Sequence, residues 1–537
     1  MSEIQASCPA CGFDVATPVT RFTGWSSPFF TLIITNGIVS PSDDDLLSHY
    51  LQGVRADISA QDDVIRRIKS ALTRAEDEKN RLQCVFDSHA ALRSPFRRCP
   101  PEVLTEIFHW TIDPLHEVPL SLRLLNAWLS KISAVCRLWR TTVLSSPSLW
   151  ARFCFSGSGN KGLMPLLQTV LDRSREASLS IYCHSIFDVD TEEEDAFLRR
   201  ALGASQRWKR ARVELGNNID IYAQIRGRLP RLEWLELRHY LDDVSPRAPL
   251  FDAFQDAPQL RALVLDGNIP AQTLALPWTQ IISLDIGYTI DRDNVSAVLS
   301  MTPNLQVLTL DYDEVKRRTD GWKPKKSEVI VTCPSLRRVH VTDLELFRSF
   351  NFPSLEELSV EELDFGFGTG KDYKKAEDII HDFFERSGSS VKKLKLEVLV
   401  SRGIDFARTF DMAFRLVDLD IALPYPVTAA LFFRALVSTG DKTDVLPELR
   451  SLKAKYHTNT TDSADAKEVD DIADMITSRY HPPNAAVAEI QSVHITVSYL
   501  SPLCQQSFQA RLKNLPDLLN LISTGDETFR SFIRMVR

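Results

Sequence analysis

Short groups of three apolar positions recur through the last two-thirds of the chain. Each group reads as a leucine-like residue, two variable residues, a second apolar residue, one variable residue and a third apolar residue. The copies are Leu232/Leu235/Leu237, Leu260/Leu263/Leu265, Ile281/Leu284/Ile286, Leu305/Leu308/Leu310, Leu336/Val339/Val341, Leu355/Leu358/Val360, Val391/Leu394/Leu396 and Leu416/Leu419/Ile421. Weaker copies are Leu449/Leu452/Ala454, Ile490/Val493/Ile495, Leu179/Ile181 and Trp208/Ala211/Val213/Leu215.

The spacing of these copies predicts leucine-rich repeats. The last three positions of each copy alternate in, out, in, as a short strand does, and most copies follow one another after about 20 to 35 residues. One unit buries its leucines only against its neighbours, so we expect a curved solenoid with a parallel sheet. Intervening segments such as 376–386, with Ile379, Ile380, Phe383 and Phe384 on one face, are predicted to be helical.

A different pattern occupies residues 43–94. Apolar residues there follow alternating steps of four and three over about six heptads, interrupted by Gln61 and Lys79. The seam is Leu47, Leu51, Val54, Ile58, Gln61, Ile65, Ile68, Leu72, Ala75, Lys79, Leu82 and Phe86. Such a narrow stripe predicts a coiled-coil helix. Two interpretations stay open: a homodimer through residues 43–94, or folding back onto the rest of the chain.

The following segment, 95–155, predicts two short helices, each with a wide apolar stripe. It begins Pro100-Pro101-Glu102-Val103-Leu104-Thr105-Glu106-Ile107-Phe108 and continues with Val135-Cys136-Arg137-Leu138-Trp139-Arg140 and Leu149-Trp150. A module of about 50 residues cannot easily bury so many large apolar side chains internally. The segment therefore reads as a docking module, with an ordinary helical hairpin as the alternative.

These motifs resemble the divergent F-box-like domain of large fungal F-box/leucine-rich-repeat families. The resemblance covers roughly a tenth of the chain. It departs from the family pattern at Cys99, where a leucine is expected, and in the long segment 113–131 between the motifs. It implies binding to the Skp adaptor of a cullin complex. The residues it assigns to that contact are Pro101, Val103, Leu104, Ile107, Phe108, Val135, Trp139, Leu149 and Trp150.

Together these patterns predict an α/β chain in four parts. Residues 1–42 form a flexible tail, 43–94 the heptad helix, 95–155 the small helical F-box-like module, and 156–537 the leucine-rich-repeat solenoid with its parallel β-sheet.

Composition narrows the classes of function. A formal charge of −8 argues against a general nucleic-acid binder. The apolar stretch 28–39 is too short to span a membrane, and nine scattered cysteines do not form a disulfide framework. We expect a cytoplasmic protein, with access to the nucleus left open.

Candidate chemistry is sparse. Cys8 and Cys11 form half of a zinc site, and either metal binding or two free thiols fits the sequence. The glycine-rich stretch 366–371 lacks phosphate-loop spacing. The basic stretch 316–326 fits a solvated loop, an import signal or a contact for an acidic partner. No catalytic motif is recognisable, so we expect that the chain is not an enzyme. We assign it no cofactor and no metal.

The outward strand positions of the repeats are the remaining candidates. They mix both signs of charge and contain few aromatic residues, which suits a protein partner: Trp234, Glu236, Arg238, Val264, Asp266, Asp285, Asp311, Arg338, His340, Glu357, Ser359, Glu361, Lys393, Lys395, Asp418 and Asp420. The leading expectation is a substrate-recognition adaptor of an SCF-type cullin–RING ubiquitin ligase, with the protein substrate on this face. The alternative is a ligase-independent scaffold that uses the coiled coil and the repeats.

Overall fold

A computed structural model describes residues 27–112, 119–156, 162–184, 192–215, 219–239, 250–267, 270–287, 292–311, 330–342, 344–361, 371–387, 390–397, 405–410, 413–423, 426–440, 444–456, 462–497 and 519–523. The chain forms two units, residues 1–103 and 104–537. The sequence predictions for Cys8/Cys11, for 316–326 and for 366–370 fall outside the described residues.

The first unit contains one long helix. A short helix, α1 (Phe30–Thr35), precedes α2 (Asp44–Ala90), which is 47 residues long. Asp44 and Asp45 in the first turn of α2 complement the positive end of the helix dipole. Short 3₁₀ turns at Ala91–Arg93 and Pro95–Arg98 follow the helix, since Pro95 lacks the N–H that a continuing helix needs. The long N-terminal helix predicted from the heptads is present.

Three helices open the second unit, where the sequence predicted two. They are α3 (Pro101–Ile112), which begins at the end of the first unit, α4 (Leu122–Val135) and α5 (Arg137–Ser145). Cys136 has an extended backbone (φ −161°, ψ 172°), which breaks the helix between Val135 and Trp139. Within the long segment 113–131, residues 122–131 belong to helix α4. Ser121 caps α4 through its side chain, which accepts from the Leu124 N–H.

The remaining helices of the described residues lie between repeats. They are α6 (Met164–Arg173), α7 (Glu192–Leu202), α8 (Arg292–Met301), α9 (Lys371–Ser387), α10 (Phe406–Phe410), α11 (Pro426–Ala435) and α12 (Asp462–Tyr480). In α9 the predicted apolar face is buried, with Phe383 and Phe384 each 1% exposed.

The described residues contain sixteen strands, most of which form one large parallel sheet. They are β1 (Arg152–Ser156), β2 (Leu179–His184), β3 (Trp208–Glu214), β4 (Trp234–His239), β5 (Ala262–Gly267), β6 (Ser283–Ile286), β7 (Val307–Leu310), β8 (Val331–Thr332), β9 (Arg338–Val341), β10 (Phe350–Asn351), β11 (Glu357–Val360), β12 (Lys393–Leu396), β13 (Asp418–Leu423), β14 (Ser451–Tyr456), β15 (Ser492–Val497) and β16 (Leu519–Ser523). Fourteen of these described strands pair in chain order, and β8 and β10 form a separate parallel pair.

This order is that of a repeat solenoid, because each strand pairs only with its neighbours along the chain. Every member of the ten copies from Leu232 to Ile495 is at most 4% exposed, which confirms the predicted repeat core. The sheet starts earlier than expected: β1 pairs with β2, and Phe153 is fully buried. The boundary predicted after residue 155 thus falls inside the first strand.

Close packing between repeats constrains the backbone at Gly267. This residue ends β5 with φ +100°, and a Cβ atom there would lie 1.8 Å from the carbonyl oxygen of His239 on β4. Glycine is required at this position because no side chain fits between the two strands.

Candidate partner-binding surfaces

The structure divides the nine residues that the resemblance assigned to adaptor binding. Leu104, Phe108, Leu149 and Trp150 are each at most 2% exposed and form the interior of the three-helix segment. The ring of Phe108 on α3 meets that of Trp139 on α5 edge to face, with centroids 5.0 Å apart. These buried side chains hold the segment together and are not available to a partner.

The other assigned residues remain accessible. Val135 is 60% exposed and Val103 46% exposed, Pro101 is exposed, and Ile107 and Trp139 are half-buried. Val135 is the last residue of α4, directly before the break at Cys136. Helix α4 thus ends on an exposed apolar side chain.

Helix α4 contributes exposed apolar residues that the sequence did not single out. Leu124 is 57% exposed and Trp128 37% exposed. Their spacing, four residues and then seven to Val135, places all three on one face of the helix. A second face of α4 is buried through Leu122, Leu125, Leu129 and Ile132. The sequence carries this signal as two apolar stripes over 122–135. Most of that range lies in the segment that the family pattern leaves between its two motifs.

Polar contacts anchor α3 to the turn that leads into the sheet. Thr105 Oγ1 lies 2.9 Å from Ser146 Oγ, and His109 Nε2 lies 3.0 Å from Ser148 Oγ. The N–H of Cys154 in β1 also donates to the carbonyl oxygen of Leu120, just before α4. The three-helix segment is therefore joined directly to the first strand of the solenoid.

The outward strand positions lie as the repeat pattern predicts, with one exception. Glu236 was expected to be exposed, yet it is 2% exposed. Arg212 Nε lies 2.5 Å from Glu236 Oε2, and Arg238 contacts the other carboxylate oxygen. The two guanidinium groups come from β3 and from β4 itself, and they cover a carboxylate that would otherwise face solvent. Burial of this charge is compatible with stability because it is paired on both sides.

Aromatic and arginine side chains stack beside this group. The guanidinium of Arg212 lies 4.3 Å from the ring centroid of Tyr182, and that of Arg210 lies 4.2 Å from the ring of Trp234. The rings of Tyr182 and Trp234 are themselves stacked at 6.2 Å. Stacking of this kind makes the N-terminal end of the outward face basic and aromatic.

The middle of the outward face is acidic. Burial raises the pKa of Asp285 to about 6, and the nearby carboxylates of Asp311, Glu236 and Asp266 act in the same direction, while His340 opposes them. Carboxylates on neighbouring strands stand close enough to repel one another, because adjacent strands lie about 4.8 Å apart.

A groove of about 470 Å³ crosses the strands from β7 to β14. Its lining carries both signs of charge, and within it Lys393 pairs with Glu357 at 3.1 Å. Asp420 Oδ1 lies buried in this region without a hydrogen-bond partner among the described residues. The groove is open to solvent and lined by charges of both signs, which suits a peptide or protein surface better than an apolar small molecule.

One cluster of described side chains has metal-ligand spacing. His381, Asp382 and Glu385 on α9 place their ligand atoms within 4.8 Å of one another. Two of the three are exposed to water, and acidic groups of this kind are common on helix surfaces, so the cluster receives no metal assignment.

Comparison with known proteins assigns no family. No family model and no curated protein sequence matches the chain. Among solved structures, a crystal structure of a Bacteroides fragilis protein, a target of the Northeast Structural Genomics Consortium, shares 13% identity and covers 59% of this chain and 76% of its own length. Its TM-score is 0.29, which carries no argument about fold or function. Among the described residues, no helix combines the length and the apolar character needed to cross a bilayer.

Proposed function

We propose that this protein is a substrate-recognition adaptor of an SCF-type cullin–RING ubiquitin ligase. In this role the three-helix segment binds the Skp adaptor and the repeat domain binds a protein substrate. The observation that carries the proposal is the exposed apolar side chain of Val135, together with half-exposed Ile107 and Trp139, at positions of the F-box-like pattern. Other positions of the same pattern, such as Leu104 and Phe108, are buried and supply the interior of the segment.

The exposed apolar residues support a docking role on energetic grounds. Large apolar side chains that face water contribute little to the stability of the free chain. Burying them in an interface removes apolar area from water, at roughly 25 cal/mol per Å². Clusters of exposed apolar residues on soluble domains mark partner sites more often than scattered single residues do.

The repeat face supports the second half of the proposal. Its charges change along the sheet from basic and aromatic, at Arg210 and Trp234, to acidic around Asp285 and then to alternating signs in the groove. Such an arrangement selects a partner by complementary charge. The chain performs no bond chemistry in this role. It raises the effective concentration of the substrate at the ligase.

The test uses residues that are exposed in the free chain. Changing Val135 and Val103 together to Asp should abolish co-purification with the Skp adaptor and leave the circular dichroism spectrum unchanged. Leu104 is unsuitable for this purpose, because it is fully buried and an aspartate there would unfold the segment. The control is Phe414→Asp, which removes an exposed apolar residue (43% exposed) in the repeat domain and should leave adaptor binding intact.

Absence of the adaptor from pull-downs of the wild-type chain would contradict the proposal. That outcome favours the ligase-independent scaffold, in which partners bind through α2 and the repeats. Cys99 in place of the expected leucine, and the additional apolar face of α4, are the features that fit this alternative.

A further inference from the structure

The apolar seam of α2 faces solvent along most of its length. In heptad notation, Leu51, Ile58, Ile65, Leu72, Lys79 and Phe86 occupy the a positions, and Leu47, Val54, Gln61, Ile68, Ala75 and Leu82 the d positions. The seven large apolar residues among them that are classed as exposed range from 45% exposed at Ile68 to 67% at Phe86. An isolated helix with this stripe gains most of its stability from a packing partner.

Charges on one edge of the seam identify the partner. The e positions carry Arg55, Asp62, Lys69 and Glu76, so the sign alternates from each heptad to the next. All four side chains are exposed, and none forms an ion pair within the described residues. Elsewhere on the helix, charged residues do find local partners, such as Glu78 with Arg81 at 2.7 Å. The e-edge charges are therefore available to another chain.

Because the charges at the e positions alternate in sign, the row of e charges is complementary to the same row running in the opposite direction. When two copies of α2 run antiparallel, e positions face e positions, so that Arg55 meets Glu76 of the second copy and Asp62 meets Lys69. The two-fold axis repeats both pairs, which gives four attractive contacts. In the same register Leu51 packs opposite Leu82, Ile65 opposite Ile68 and Phe86 opposite Leu47, so the whole seam is covered.

The parallel arrangement is much poorer. There g positions face e positions of the other copy, which brings Asp57 against Asp62 and forms no oppositely charged pair. Lys79 would also face its own copy in the core. In the antiparallel dimer Asp57 faces Glu78 on the g edge, an unfavourable contact that the two-fold axis repeats once, and Arg81 already neutralises Glu78 within its own helix.

We infer that α2 pairs with α2 of a second copy of this chain as an antiparallel, two-fold coiled coil. The inference is independent of adaptor binding. The two chains leave the coiled coil at opposite ends, about 60 Å apart at 1.5 Å per residue. Each dimer therefore carries two repeat domains, so that a partner with two copies of the recognised surface binds with higher avidity.

Sedimentation velocity of the full chain tests the association. The wild-type chain should sediment as a dimer at micromolar concentration, and Ile65→Asp with Ile68→Asp should convert it to a monomer with unchanged repeat-domain folding. A wild-type chain that is monomeric at every concentration, or a dimer that survives the two aspartates, overturns the inference.

Charge reversal tests the orientation. Asp62→Lys places a lysine opposite Lys69 in the antiparallel dimer, which should raise the dimer dissociation constant about tenfold. In a parallel dimer the same lysine would face Asp57 and tighten association. The double variant Asp62→Lys with Lys69→Asp should restore wild-type affinity.

The matched control is Asp77→Lys, the same charge change at an exposed f position away from the seam. It should leave the dissociation constant within about twofold. Tighter association of Asp62→Lys, or failure of the double variant to recover, overturns the antiparallel arrangement. None of these variants lies in the three-helix segment, so a failure here is distinguishable from a failure of adaptor binding.

Discussion

The indole N–H of Trp150 donates a hydrogen bond of 2.9 Å to the carbonyl oxygen of Val143. Both residues are buried, and the guanidinium of Arg173 on α6 lies 4.5 Å from the Trp150 ring centroid. The bond joins the end of α5 to the turn that enters β1. It thereby couples the three-helix segment to the solenoid.

Replacing Trp150 with Phe should weaken this junction. The carbonyl of Val143 would lose its buried partner, and an unsatisfied buried acceptor costs about 2 kcal/mol. We expect a lower urea midpoint, monitored by circular dichroism. Trp110→Phe is the control, because Trp110 is 58% exposed and its replacement should change stability by less than about 0.5 kcal/mol. Equal effects of the two substitutions would contradict the coupling.

Adjacent residues of one strand should differ sharply in their contribution to stability. Leu263 on β5 is 1% exposed and packs between repeats, whereas Val264 points to the outward face. Leu263→Ala should lower the free energy of unfolding by about 3 kcal/mol through lost burial and a residual cavity. Val264→Ala should lower it by less than about 1 kcal/mol. Urea unfolding of both variants measures the difference, and a reversed order would mean that the strand register is wrong.

A buried arginine clamps the C-terminal repeats. Arg479 on α12 is fully buried and donates to the carbonyl oxygens of Leu436 at 2.7 Å and Leu446 at 2.6 Å, and also to that of Val445. Burial lowers the pKa of Arg479 to about 10, with Asp444 opposing the change, so the side chain stays protonated at neutral pH.

Arg479→Met should therefore leave three carbonyl groups without their hydrogen-bond donor and destabilise the repeat domain by more than about 3 kcal/mol. Arg479→Lys should recover part of the loss, because an ammonium group reaches fewer of the carbonyls than the guanidinium does. Thermal unfolding measures both variants, with exposed Arg415→Met as the control. A wild-type melting temperature for Arg479→Met would show that the clamp is unimportant.

The raised pKa of Asp285 predicts a specific dependence of stability on pH. Its folded-state pKa is about 6, above the ordinary value of 3.8, so the folded state binds the proton more tightly than the unfolded state. The ionised carboxylate therefore destabilises the fold above about pH 6, and this penalty disappears as the pH falls below 4.

Asp285→Asn should raise the free energy of unfolding at neutral pH by about 1 kcal/mol, a value reduced for the water that reaches the half-exposed side chain. Near pH 4 the variant and the wild type should unfold alike. Urea titrations at the two pH values make the comparison. A stability difference that does not change with pH would attribute the effect to packing and not to charge.

The sequence alone determined the repeat architecture. A strand of four residues such as Ser283–Ile286 exposes only alternate positions, so Leu284 and Ile286 could be assigned to the core from spacing. The heptad stripe of α2 was equally direct, because steps of four and three describe one helix face wherever the helix lies. Both features depend on local periodicity and need no knowledge of distant residues.

Only the tertiary structure decided which side chains of the docking motif are available. Val103 and Leu104 are adjacent and equally apolar, yet one is 46% exposed and the other is fully buried. Glu236 is buried because Arg212, from the preceding strand, folds over it. Burial of a particular side chain depends on which residues from other segments cover it, and those contacts span distances along the chain that no local pattern encodes.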